Sequence, residues 1–241
     1  MVLKNKICII TGALGGLGQT VVQTFLDQGA LVIGADSEKA MNDHLKKSSF
    51  WRNVKDHPHW TLKITDVLSE SGVTELVNLV YQKRSRIDVL INLVGGIYPW
   101  SEITEVDVKT WDFTIELNLK SVYLCSREVL RIMVQQKNGK IINIGALAGL
   151  KGGSQAGPYG AAKAGVINLT ETMAEENKIN NIQVNAIVPS IIDTPANRRS
   201  MPDAEFTRWV RAEEIAETLV FLASDKSSGI TGSIIKIPGR V

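Results

Sequence analysis

The chain has 241 residues, 44% of them hydrophobic and 22% charged. That length suits one α/β domain with a substantial core, and a net charge of +2 without a long basic run excludes an electrostatic nucleic-acid footprint. No run approaches the roughly 18 apolar residues of a membrane span, which predicts a protein with no membrane partner.

In chain order, MVLKNKICIITGALGG holds too short an apolar stretch for a signal peptide. KICIIT (6–11) reads as a buried strand, followed by a glycine loop and a helix over 16–28. ALVIGA (30–35) is a second strand. His57 and His59 flank Pro58 in a charged, turn-rich stretch, and neither they nor His44 have metal-ligand spacing with other donors, so no metal is expected. TLKIT (61–65), IDVLINLV (87–94), KIINIG (140–145), IQVNAIV (182–188) and SIIKI (233–237) complete the strands, being nearly continuously apolar as in a parallel sheet covered on both faces. Helical periodicity fills 69–84, 104–135 in two pieces, 157–178 and 212–223. The alternation implies βαβ units with right-handed crossovers in a single domain over 1–241. The irregular stretch 189–211, with three prolines, is expected to be a substrate lid. Cys8 and Cys125 each lie in an apolar pattern and read as buried thiols of a reducing cytoplasm, not a disulfide.

TGALGGLG (11–18) stands between a strand and a helix, the context a dinucleotide-binding loop requires. Gly12 permits the sharp turn, while Gly16 and Gly18 permit close approach of backbone and helix to a pyrophosphate, which a helix N-terminus favours electrostatically. Asp36 closes the second strand, where a carboxylate accepts from ribose hydroxyls and repels a 2′-phosphate. Ser37 follows it and the loop carries no Arg or Lys, so the expected cofactor is NAD(H) rather than NADP(H).

Tyr159 and Lys163, in YGAAK, are one helical turn apart. A free tyrosine titrates near ~10, so acting at neutrality means lowering it by ~3 units, about 4 kcal/mol. An ammonium on the same helix face favours the phenolate.

Together these motifs resemble the short-chain dehydrogenase/reductase family nearly end to end. TGALGGLG matches its TGxxxGxG form, with Leu14 and Leu17 inside the loop. Asp66-Val67 matches its adenine-contacting Asp-Val. NLVG (92–95) stands for NNAG, keeping Asn92 and Gly95 but replacing the polar brace of the central strand with Leu93. Asn118 matches the family's helix asparagine, YGAAK its YxxxK, and VPSIIDT its PGxxxT, with Pro189, Ile192 and Thr194 at the nicotinamide end and Ser190 replacing the glycine. The resemblance implies a Rossmann-type, doubly wound parallel sheet of about seven strands in a three-layer α/β/α fold. It also implies hydride transfer between nicotinamide and a small-molecule carbonyl or alcohol, with Tyr159 as acid/base. Lys163 would bind the nicotinamide ribose, Asn118 would position a water beside Lys163, and a homotetramer would pack through the helices carrying Asn118 and Tyr159.

The family's serine position falls on Ala146, and Gly145 precedes it. Losing an oxyanion-type donor costs ~10²–10³ in kcat. Ser154, Gln155 or a water are the candidate substitutes. Ile97, Tyr98, Trp100 and Trp209 would supply apolar substrate surface. Arg198 and Arg199 are read first as solvated surface, with an anionic substrate group as the alternative. Two functional classes remain open: an oxidoreductase weakened at Ala146, or a catalytically silent NAD(H)-binding sensor or hetero-oligomer subunit.

Overall fold

The computed structural model describes residues 1–44, 49–96 and 100–241. Seven strands form one parallel sheet in the order β3-β2-β1-β4-β5-β6-β9. They are β1 (Ile7–Thr11), β2 (Leu31–Asp36), β3 (Trp60–Ile64), β4 (Val89–Asn92), β5 (Gly139–Ile144), β6 (Ile182–Pro189) and β9 (Ile234–Ile237). The order runs outward from β1 in both directions. A crevice therefore opens at the carboxyl ends of β1 and β4, where sheets of this kind take their ligands.

Alternation along each buried strand feeds both faces. Cys8, Ile10, Val32, Ile91, Ile142 and Ile187 pack beneath α1 (Gly16–Asp27), α3 (Ser49–Val54) and α10 (Ala212–Ala223). Ile9, Ile33, Leu90, Ile141 and Val184 pack beneath α4 (Glu70–Arg84), α6 (Ser121–Gln136) and α8 (Gly157–Asn177). This is the three-layer arrangement expected.

Local chemistry sets the helix ends. Ser69 caps α4 by accepting from the Gly72 amide at 3.3 Å, Glu70 complements its positive end and Lys83 and Arg84 its negative end. Asp107 caps α5 (Val108–Ile115) at 2.7 Å from the Thr110 amide, and those hydrogen bonds hold its carboxyl below the usual range.

Three details differ from the sequence reading. The helical stretch predicted over 104–135 in two pieces is α5 and α6 joined without a break by a π-helical turn over Glu116–Lys120. The extra residue per turn rotates Asn118 fully into the interior, as such turns often do at functional sites. The connection after β2 carries α2 (Glu38–His44) and α3, which are too short to give a periodic signal. The segment 189–211 is not irregular throughout. It contains β7 (Ile192–Asp193), α9 (Pro195–Ser200) and β8 (Val210–Arg211), the two strands pairing in parallel.

Candidate active site

The glycine loop is shaped by what glycine lacks. Gly12 adopts φ 68°, and a Cβ on Gly18 would stand 2.0 Å from the Gly12 carbonyl oxygen. The first turn of α1 is thus pressed onto the strand exit. The N-cap Gly15 offers no side chain and the first turn no acid, so the helix-end amides face the crevice without a side-chain cap. A Cβ on the exposed Gly16 would lie 3.1 Å from Thr194 Cβ, which brings the base of the 189–211 segment over the loop. The Leu14 side chain is buried in the core and Leu17 packs partly against it.

Leu14 contributes its backbone amide, which donates to Asp36 Oδ2 at 2.8 Å, while Ser37 N donates to Asp36 Oδ1 at 2.8 Å. The acid is thereby fixed beside the loop. Asp66 is exposed and caps the turn into α4 through the Leu68 amide at 2.9 Å, with Val67 buried behind it. Pro189 ends β6 in the interior, Ile192 is half-buried, and the Thr194 hydroxyl oxygen caps α9 by accepting from the Asn197 amide at 3.3 Å. Ser190, replacing a glycine, donates its hydroxyl to the Pro238 carbonyl at 2.7 Å and so ties the segment to the C-terminal stretch.

Tyr159 and Lys163 occupy the first two turns of α8. The Lys163 Nζ lies 5.7 Å from the Tyr159 ring centroid and donates to the Ile144 carbonyl at 2.8 Å. Burial pushes the phenol up to about 12 and pulls the ammonium down to about 8. A dry pocket thus disfavours both charged forms, so each depends on compensating charge nearby. Asn118 is entirely buried. Its Nδ2 donates to the Gly96 and Thr114 carbonyls at 2.9 and 3.0 Å, and its Oδ1 accepts from the Gly96 amide at 3.0 Å. It therefore clamps the loop that follows β4. Gly95 is the point where that loop meets the pair: a Cβ there would lie 2.8 Å from Asn118 Oδ1 and 3.1 Å from Lys163 Nζ. Asn92 turns its amide away from the crevice, into the sheet–helix interface.

Ala146 is buried as the N-cap of α7 (Leu147–Leu150). That turn lies directly on α8: a Cβ on Gly149 would meet the Lys163 carbonyl carbon at 2.6 Å, and one on Gly160 the Ala148 oxygen at 3.0 Å. Ser154 and Gln155 are exposed, on a turn with Gln155 at φ 63°.

Trp209 departs from its expected role as pocket surface. It is 3% exposed and packed against Phe206, ring centroids 4.8 Å apart. Arg198 is held by Asp193 through two hydrogen bonds of 2.6 and 2.7 Å and stacks over Phe206, so its charge is already engaged. Trp100 is exposed, and Ile97 and Tyr98 lie outside the described residues. His57 and His59 meet edge to face, and among the described residues no three His, Cys, Asp or Glu side chains gather as a metal site. No helix among them is long and apolar enough to cross a membrane.

A glycine cradle, an acid at the end of β2 and a Tyr–Lys pair on one helix meet at a single crevice, and residues 6–205 match the short chain dehydrogenase family. The chain is a short-chain dehydrogenase/reductase. Across 247 residues it is 37% identical to "3-oxoacyl-[acyl-carrier-protein] reductase FabG" of Thermotoga maritima, covering 99% of this chain and 98% of that one. It is 32% identical to the cis-4-hydroxycyclohexanecarboxylate dehydrogenase of Sinomonas cyclohexanicum, over 98% of this chain and 96% of that enzyme. Among solved structures it superposes with a TM-score of 0.89 on "ElxO with NADP Bound", at 26% identity and 98% coverage of both chains. As a short-chain dehydrogenase/reductase it is a hydride-transfer oxidoreductase that takes a nicotinamide cofactor and a small-molecule substrate. The cradle fits that cofactor, since three of its walls (at Gly16, Gly18 and Gly95) are places where any larger residue would fill the space or displace the loop.

The sequence had no means of revealing that Ile144 supplies the carbonyl holding Lys163, or that Gly95 touches the pair. Asn92 inside IDVLINLV and Asn143 inside KIINIG, polar residues in mostly apolar runs, were the visible signals of a buried polar chain.

Proposed function

We propose that this chain is an NAD(H)-dependent oxidoreductase interconverting a carbonyl compound and a secondary alcohol, slowed by the absence of a hydroxyl at position 146. The observation that carries the reading is the Tyr159–Lys163 pair seated on α8 beside the glycine-walled crevice. When bound, the nicotinamide cofactor supplies the hydride carrier and, in its oxidised form, a positive charge that favours the Tyr159 phenolate. Gly12, Leu14, Gly16, Leu17 and Gly18 would hold the pyrophosphate end, Asp36 the adenosine ribose, Asp66 and Val67 the adenine, and Asn92, Gly95, Pro189, Ile192, Thr194 and Lys163 the nicotinamide half.

Tyr159 gives a proton to the substrate oxygen during reduction and takes it back during oxidation. Lys163 supports that transfer electrostatically, and Asn118 keeps the loop after β4 against Lys163. Ala146 leaves the substrate oxygen with one donor fewer, a deficit of ~10²–10³ in kcat. Asp36, fixed by the Leu14 amide, supports NAD(H) although the similar ElxO structure carries NADP: a 2′-phosphate would face a carboxylate with no cation in the loop.

The second reading, a silent NAD(H)-binding subunit, is favoured by one observation: Ala146 is buried and Ser154 and Gln155 are exposed. A homotetramer through the helices carrying Asn118 and Tyr159 is supported by exposed Val108, Trp111, Phe113 and Tyr123 on α5 and α6. A cytoplasmic location is supported by the two buried free thiols.

The test is calorimetric titration with NADH and NADPH, followed by NADH oxidation over a panel of ketones. NADH is expected to bind more tightly and to be consumed, with Tyr159→Phe inactive. Tighter NADPH binding would overturn the reading of Asp36.

A further inference from the structure

Four buried polar side chains lie in line below the active site. Asn92 and Asn143 are register partners on β4 and β5. Asn92 Nδ2 donates to Asn143 Oδ1 at 2.9 Å and to Ser126 Oγ on α6 at 3.0 Å. Asn143 Nδ2 donates to Thr170 Oγ1 on α8 at 2.9 Å, and the Thr170 hydroxyl donates to the Val166 carbonyl at 2.7 Å. None of the four exceeds 2% exposure.

As a means of holding the sheet to its helices, this chain is a poor choice. Asn92 Oδ1 is buried without a hydrogen-bond partner, a standing desolvation penalty. Leucine and valine of similar volume would join the same elements without that penalty. What the chain does supply is direction, because hydrogen bonds fix angles that apolar contacts leave free.

The elements it fixes are those that locate the Lys163 ammonium. Asn143 directly precedes Ile144, whose carbonyl receives Lys163 Nζ. Thr170 sits two turns beyond Lys163 on α8. Asn92 leads into the loop whose Gly95 stands against Lys163 Nζ and Asn118 Oδ1. Carbonyl, helix and loop are thus all referred to one buried chain.

We propose that Asn143, acting with Thr170, is a positioning residue that aims the Ile144 carbonyl and α8 so that the Lys163 ammonium faces Tyr159. The proposal rests on Tyr159 and Lys163 being the acid–base pair. A structural brace and a positioning device differ in what they move. Removing a brace lowers stability and leaves the Lys163 titration of the folded protein where it was, whereas removing a positioning device moves that titration.

The experiment compares the whole protein with Asn143→Leu/Thr170→Val, Thr170→Val alone and Thr170→Ser. The melting temperature and the titration of Lys163 are read by NMR of ¹³Cε-labelled lysine, with the signal assigned by Lys163→Arg. Tyr159 is the titratable group facing that ammonium; its other neighbours, Asn118, Gly95 and the Ile144 carbonyl, are neutral. The double variant leaves Asn92 in place with one N–H of its Nδ2 deprived of the Asn143 acceptor. It is therefore expected to melt lower than the native protein, and the Lys163 titration of the folded variant separates positioning from bracing. Its Lys163 midpoint should move by about half a pH unit or more, and kcat should fall about tenfold with KM unchanged, while Thr170→Ser behaves as native. If the double variant does not fold, Thr170→Val carries the same expectation in smaller measure. An unmoved Lys163 titration in a folded variant overturns the proposal. The lysine titration needs neither cofactor nor substrate. A protein that binds no dinucleotide and turns nothing over therefore refutes the acid–base reading, while the titration still decides whether Asn143 positions Lys163.

Discussion

The Leu14 amide donates a 2.8 Å hydrogen bond to Asp36 Oδ2, so the acid that ends β2 is oriented by the glycine loop itself. Asp36→Ala is expected to weaken NADH binding about tenfold, about 1.4 kcal/mol, and to narrow the preference over NADPH. Calorimetric titration reads both, and an unchanged NADH affinity would remove Asp36 from the site.

Gly18 tests the packing of the cradle. A Cβ there would be 2.0 Å from the Gly12 oxygen and within 3 Å of the Ala13 backbone, with no flexible side chain to yield. Gly18→Ala should cost roughly 1–3 kcal/mol or more in thermal unfolding and abolish dinucleotide binding. Gly152→Ala, where an added Cβ meets nothing within 4 Å, should do neither.

Lys140 gives a pH dependence remote from the crevice. It is 6% exposed, its Nζ donating to Gln183 Oε1 at 3.0 Å and Ser227 Oγ at 3.2 Å, and burial pulls it from 10.5 down to about 8. Asp225 opposes that shift and Lys6 adds to it. Between about 8 and 10.5 the unfolded chain binds more protons than the folded one, so this lysine makes stability rise with pH across that window and fall as pH drops through it. Lys140→Met removes the slope. Denaturant unfolding at pH 7 and pH 10 should show the native protein gaining on the variant by on the order of 1–2 kcal/mol; parallel curves would contradict it.

The strands and the Tyr–Lys helix were legible in the sequence because a parallel sheet covered on both faces leaves uninterrupted apolar runs, and because glycine loops and YGAAK are local patterns. What was not legible depends on contacts between distant residues. The π-helical turn at Asn118 has no signature in ELNLK. Trp209 looked like pocket surface because a lone tryptophan in a polar stretch carries no sign of burial, yet Phe206 and the 192–210 strand pairing enclose it. Arg198 and Arg199 read alike, and only the fold brings Asp193 against Arg198.

Position 146 is where the functional claim is most exposed. Ala146 already carries a Cβ, so Ala146→Ser adds a single oxygen, whereas a side chain at Gly145 would meet Val188 Cγ2 at 3.0 Å. The decisive measurement is kcat for ketone reduction with NADH in the native protein, Ala146→Ser and Tyr159→Phe. The expected result is slow native turnover above the Tyr159→Phe background and a gain of about 10²-fold in Ala146→Ser. No turnover in either native protein or Ala146→Ser, with NADH bound by both, would contradict it and leave a silent dinucleotide-binding protein.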